Sequence, residues 1–159
     1  MKKLFVICSL ALVIAACGGK GNSSATEASE QASTEAGTTT ETSDYDPKRG
    51  EGKFTEVKLG EKLDQAMADR GQKVAELKCT SCHKLTDEKL VGPGWKGVTS
   101  RHQAEWIMNF MTNTDVMIDK DPKVQAMLEI CMVRMPNQSL TDENARDILE
   151  YLRKNDGVK

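Results

Sequence analysis

Five adjacent residues, Cys79-Thr80-Ser81-Cys82-His83, constrain this 159-residue chain more than any other feature. Two thiols three positions apart can add to the two vinyl groups on one edge of a haem and make two thioethers. A histidine directly after the second thiol then lies under the iron and offers an imidazole nitrogen. The motif implies one covalent haem c, and a redox carrier rather than a hydrolase or a nucleic-acid binder. Two other readings of C-x-x-C compete with it. A reactive dithiol needs a βαβ setting and a low-pKa thiol at a helix start. The residues before Cys79 instead read as helix, and no strand pattern flanks them. A structural zinc site needs about four ligands, usually two such pairs. One pair is present, and Cys131 and His102 have no zinc-like spacing.

The first residues read as a processing signal. Lys2 and Lys3 precede an apolar stretch, Leu4 to Ala16, too short to span a membrane comfortably. It ends in Ile14-Ala15-Ala16-Cys17, which resembles the lipobox of bacterial lipoproteins. The expectation is a signal peptide over 1–16, cleavage before Cys17, and lipidation of that residue. Several acyl chains on one residue anchor stably where a single chain is marginal. An ordinary secretory signal is the competing reading, and both place the chain outside the cytoplasm, in the periplasm of a bacterium. Residues 17–52 are rich in Gly, Ser, Thr, Ala and Glu, and read as a disordered tether. As a flexible coil such a segment has an end-to-end distance of roughly 30 Å. Cys8 leaves with the signal, so Cys131 is left without a disulfide partner, and a buried, inert thiol is its default reading.

Residues 53–159 then form one domain, in which Lys plus Arg and Asp plus Glu both number 17. No basic field points to nucleic acid, and nothing demands a second copy, so a monomer is expected. The pattern is helical. From Glu61 to Lys78, Leu63, Ala66, Met67, Val74 and Leu77 recur at helical spacing, with Gly71 inside the run at a cost of about 1 kcal/mol relative to alanine. Ser100 and Gln103 read as a capping box for a helix bearing Trp106, Ile107, Phe110 and Met111 and ending near Asn113. Asp121-Pro122 reads as an N-cap with proline at the first helical position. It is followed by a stripe of Val124, Met127, Leu128, Cys131 and Met132. Thr141 caps the last helix, whose buried face is Ala145, Ile148, Leu149 and Leu152, and Asn155-Asp156-Gly157 ends it. The class is all-α, with about four helices around one haem.

With these residues in view, residues 60–155 resemble a class I cytochrome c. The run Gly92-Pro93-Gly94-Trp95-Lys96-Gly97-Val98-Thr99-Ser100-Arg101 has that family's spacing of Gly, Pro, Gly and Arg. The resemblance implies that the Pro93 carbonyl accepts the N–H of a proximal His83, and that Arg101 lies near a haem propionate. It also implies that Gly71, eight residues before Cys79, crosses Tyr151 of the last helix. The family's sixth ligand is a methionine in a Met-Pro context before the last helix, and Met135-Pro136 stands there, 52 residues after His83. The chain holds eight methionines, so Met132, Met127 and Met117 compete. Met132 and Met127 lie on a helical stripe where a core role is expected. His102, the only other histidine, is the last rival for that ligand, but in the first turn of a helix it is expected to be solvated.

The implied function is electron transfer by a mono-haem carrier between membrane-associated redox proteins, whether an oxidase, a quinol-oxidising complex or a reductase. No set of catalytic acid, base and nucleophile stands out, so an enzyme is not expected. The alternatives are a haem protein with an open or displaceable sixth position that binds gas or peroxide, and a fixed haem subunit of a larger complex.

Overall fold

Helices carry almost all the regular structure of residues 45–159, the part of the chain described by a computed structural model. They are α1 (Gln65–Lys78), α2 (Val98–Arg101), α3 (Ala104–Thr112), α4 (Thr114–Lys120), α5 (Pro122–Cys131) and α6 (Asp142–Asn155). No strand occurs among the described residues. The four helices expected from the periodicity are α1, α3, α5 and α6. Helices α2 and α4 add four and seven residues.

The caps explain most of the boundaries. Asp64 accepts the Met67 N–H at the start of α1, and Asp121 accepts those of Lys123 and Val124 at the start of α5. Thr141 accepts that of Asn144 at the start of α6. Each satisfies donors that a helix leaves unpaired in its first turn. Ser100 does not start α3, because it already lies inside α2, and Gln103 is the N-cap without a side-chain bond. The cause is distant in sequence. Asp156, just past the end of α6, accepts the N–H groups of Gly97 and Thr99 at 2.6 and 2.9 Å and the Thr99 hydroxyl at 2.7 Å. With that carboxylate holding Gly97 and Thr99, the helical turn starts at Gly97 as N-cap, three residues early.

Helices α1 and α6 pack on each other. Their contact explains Gly71: a Cβ there would lie 2.0 Å from the Asp147 carbonyl oxygen, so only glycine permits the approach. The buried face of α1 is Ala68, Gly71 and Ala75, not the stripe of larger residues. Leu77 from that stripe is exposed. On α6, Ala145, Ile148, Leu149 and Leu152 are buried as expected, with Tyr151 beside them. Arg70 of α1 grips Asp147 of α6 through two bonds of 2.8 Å.

Residues 45–52, which composition assigns to the tether, lie against the helices. Tyr45 donates its hydroxyl to Asp121, Arg49 O accepts from Asn109, and Gly50 is buried beside Met117. A composition too polar to build its own core can still dock onto one already formed. Residues 1–44, including Cys17, lie outside the described residues.

Candidate functional site

The site begins where α1 ends. Cys79 caps the helix with its N–H on Ala75 O, and its own carbonyl accepts from both Cys82 N and His83 N at 3.0 Å. This tight turn buries Cys79, leaves Cys82 half-buried and brings His83 inward. The chain then loops out and returns. Val91 and Gly92 donate to Cys82 O at 3.2 and 2.9 Å, which sets Pro93 beside the histidine.

His83 Nδ1 lies 2.9 Å from Pro93 O. A carbonyl can only accept, so Nδ1 carries the hydrogen and Nε2 is the bare nitrogen, available to a metal. The ring packs against Gly92, where a Cβ would come within 2.4 Å of Cε1. It also stacks on Trp95 at 5.2 Å. Burial pushes the imidazole below its ordinary pKa, and the Pro93 bond offsets part of that fall. At neutral pH the ring is therefore in the neutral form that binds metals.

His83 lines a cavity of about 380 Å³ whose wall also includes Cys79, Cys82 and Met135. A smaller hollow of about 90 Å³ shares Cys82, His83, Met127 and Met135 with it. The larger volume is of the size that holds small-molecule cofactors. Its apolar lining comes from Ile107, Phe110, Leu140 and Leu152 among others. Two adjacent thiols, a presented imidazole nitrogen and an apolar slot fit a haem. Burial pushes the Cys79 thiol up, partly countered by Lys78, the opposite of what a reactive dithiol needs. Among the described residues no three His, Cys, Asp or Glu side chains gather to hold a metal ion by themselves, as a zinc site would.

The methionines sort themselves by position. Met135 and Met127 are on the cavity wall, as is Met111, which the sequence pattern assigns only to the apolar face of α3. Met117 is fully buried elsewhere, where its sulfur accepts the Glu51 N–H at 3.0 Å. Met132, expected on the α5 stripe, is instead the C-cap at φ 57° and is 85% exposed. Helix α5 ends in a left-handed turn that swings it out to solvent. Cys131, at the end of α5, is half-buried, with no disulfide, on the wall of the smaller hollow.

Arg101 lies on the larger cavity's wall, and its guanidinium donates to Gly94 O and Lys96 O. His102 is not solvated as expected. Because α2 turns early, the residue sits between two helices, half-buried on the same wall and stacked on Trp106 at 3.9 Å. The sequence held one signal for this: histidine and tryptophan four residues apart, a spacing that pairs side chains on a helical turn.

The cytochrome c family profile matches residues 68–156. The chain belongs to the cytochrome c family. A solved cytochrome c from Rhodothermus marinus is 38% identical, with 66% of this chain and 90% of that one covered and a TM-score of 0.64. An engineered form of the Rhodothermus marinus protein is 37% identical over the same shares, with a TM-score of 0.63. Another structure of the engineered protein, bound to a carbene intermediate, gives 37% identity and a TM-score of 0.60. No curated protein sequence matches the chain. The cytochrome c domain binds haem c covalently, and its family performs haem-based electron transfer. Cytochrome c domains typically lie outside the cytoplasm. No helix among the described residues is long and apolar enough to cross a membrane.

Proposed function

We propose that this protein is a mono-haem electron carrier in which Cys79 and Cys82 hold the haem, His83 is the proximal ligand and Met135 the distal one. The observation that carries the reading is the shared wall. One apolar cavity gathers both thiols, the oriented imidazole and the Met135 thioether. Bound there, haem supplies a one-electron ferric/ferrous couple. The protein's own part is to position and shield. Pro93 fixes the tautomer of His83, Gly92 leaves room for its ring, and the apolar wall keeps water away. Met135 stands in the non-helical segment between α5 and α6, with Pro136 stiffening the approach of the sulfur. Thioether ligation favours the reduced iron relative to a second imidazole.

The carrier is proposed to be held to a bacterial membrane by acyl chains on Cys17, with residues 18–44 as tether and the domain in the periplasm. Its partners are redox proteins at that membrane, an oxidase, a quinol-oxidising complex or a reductase. The lipobox Ile14-Ala15-Ala16-Cys17 and the polar composition after it support this. The competing reading is a sixth position open to small ligands. It gains support from the engineered relative whose structure holds a carbene, and Met127 and Met111 are the other thioethers on the wall.

One spectrum separates these readings. The oxidised protein should show the weak near-infrared band of His/Met ligation near ~695 nm, and Met135→Ala should lose it while keeping covalent haem. A band that persists in Met135→Ala assigns another methionine. No band in the wild type, with a rapid carbon monoxide shift after reduction, overturns the carrier reading.

A further inference from the structure

The segment that carries Met135 is tied to the fold by few bonds. Among the described residues, no backbone–backbone hydrogen bond joins residues 133–140 to the elements around them. Two other bonds are internal: Gln138 Nε2 donates to Pro136 O, and Ser139 N to Asn137 Oδ1. The ties to the outside come from two cations. Lys78 Nζ donates to Gln138 O at 3.1 Å. Arg134, the residue before Met135, reaches α4.

Helix α4 is a firm base for that reach, since it buries Thr114, Met117 and Ile118. Asp115 and Asp119 stand four residues apart on it, both exposed. Like charges at that spacing repel, and a cation set against both relieves them. Both terminal nitrogens of Arg134 donate to Asp119 Oδ1 at 3.1 Å. One of them also donates to Asp115 O at 3.3 Å and lies 3.5 Å from Asp115 Oδ1. A guanidinium holds its donors in a rigid fork, so several bonds made together fix direction as well as distance. The turn before it calls for such a hold. Met132 takes the left-handed conformation that residues other than glycine avoid, and its exposed side chain gains no burial in return. That turn sends the chain back, with Arg134 on α4 and Met135 on the cavity wall.

We propose that Arg134 is a positioning residue for the sixth ligand. Its grip on Asp119 and Asp115 holds the Met135 thioether in place, and loosening that grip opens the sixth position to small ligands. The inference rests on the reading of Met135 as the distal ligand. Arg134 touches neither the iron nor an incoming ligand; it acts through the backbone it shares with Met135. The clamp is exposed to water, so its worth is modest and salt weakens it. A modest clamp suffices, because thioether ligation favours the reduced iron and holds the ferric form less firmly. The oxidised protein is therefore where its loss shows.

The probe is free imidazole, added to the ferric, haem-loaded protein at about pH 8, where it is mostly neutral. Loss of the near-infrared band follows its binding. Arg134→Gln removes the cation, and Asp115→Asn with Asp119→Asn removes its partners. The two changes shift net charge in opposite directions, so an equal effect reports the clamp and not the overall field. Each should bind imidazole about fivefold more tightly than wild type, the factor that goes with about 1 kcal/mol. Combining them should add little, since the charges act as one unit. Raising salt from about 10 mM to about 1 M should tighten binding to wild type and leave the variants nearly unmoved. Wild-type affinity in both variants, or effects that add when combined, overturns the proposal and leaves Arg134 as a surface charge. A band that persists in Met135→Ala overturns this inference while sparing the carrier. A wild type without the band, before any imidazole is added, overturns the His/Met reading, and this inference with it.

Discussion

At the scale of single residues, the positions around His83 and Glu150 are the most exacting. Gly92 is a matter of space rather than flexibility. Added atoms would meet Cε1, Nδ1 and Nε2 of His83 at 2.4 to 2.9 Å, so Gly92→Ala must tilt the ring or push the loop away. We expect the variant to retain haem staining but to weaken the near-infrared band, since a tilted imidazole distorts the axial field. An unchanged spectrum would show that the loop gives way without moving the ring. Glu150 is buried with a charge. Burial alone would raise its pKa, but the Asp64 N–H, Arg146 and Arg153 outweigh it and hold the carboxyl below its ordinary 4.5. A carboxylate with a depressed pKa stabilises the fold above its unfolded value, and that contribution is lost as pH falls through the lower, folded one. Glu150→Gln leaves Arg153, also buried, without its counter-charge, at a cost of about 3–5 kcal/mol. Denaturant unfolding should show that gap at pH 7, and the gap should narrow as pH falls below 4.5. A gap that does not change with pH would mean that shape, not charge, is what Glu150 supplies.

At the scale of elements, the capping residues made two helix starts readable. Asp121-Pro122 and Thr141 act as the sequence implies, because a cap and its donors lie within three residues of each other. Ser100 misled because its competitor, Asp156, is 56 residues away, and local pattern carries no trace of it. The face of α1 departs from its periodicity for a related reason. Periodicity ranks residues by hydrophobicity, whereas the α1–α6 contact selects for smallness, burying Ala68, Gly71 and Ala75 and leaving Leu77 outside. Gly71→Ala tests that contact. Its methyl would fall 2.0 Å from Asp147 O and 2.8 Å from Ile148 N, and backbone cannot rotate away as a side chain can. Overpacking costs about 1–3 kcal/mol where neighbours can move, and here the helices must separate. The prediction is a loss at or above the top of that range in thermal or denaturant unfolding. It should exceed that of Ala66→Gly, at an exposed α1 position, where propensity alone costs about 1 kcal/mol. Equal losses would mean that α1 and α6 are not held as close as described.

At the scale of the whole molecule, the cofactor motif and its candidate thioether were legible because each is a short pattern with its own chemistry. The Pro93 carbonyl on His83 came with the family resemblance, but most of the cavity wall was not legible. The cavity wall draws on residues from Lys78 to Leu152, and His102 reaches it only because α2 turns early. The packing of residues 45–52 was hidden in the same way, since their polar composition matches a tether and the apolar partners lie on α3 and α4. Asn109 is the pin that joins this segment to the core. It is fully buried, accepts the Phe54 N–H at 2.9 Å, and donates to Arg49 O and Phe54 O at 3.0 and 2.9 Å. Gly52 lies so close that a Cβ there would meet its Oδ1 at 2.3 Å. Asn109→Ala removes all three bonds and leaves three backbone groups of the segment unpaired at the domain surface. Water can reach backbone there more easily than in a core, so the loss should sit near the lower end of the usual 1–3 kcal/mol for unpaired polar groups. The segment should respond more than the domain. Limited proteolysis of the haem-loaded variant should cut within residues 45–57, where wild type resists, while the visible spectrum stays that of the intact protein. Proteolysis identical to wild type would show that Tyr45 on Asp121 and Gly50 against Met117 hold the segment without Asn109. A spectrum lost along with the segment would mean that this strap supports the haem cavity itself.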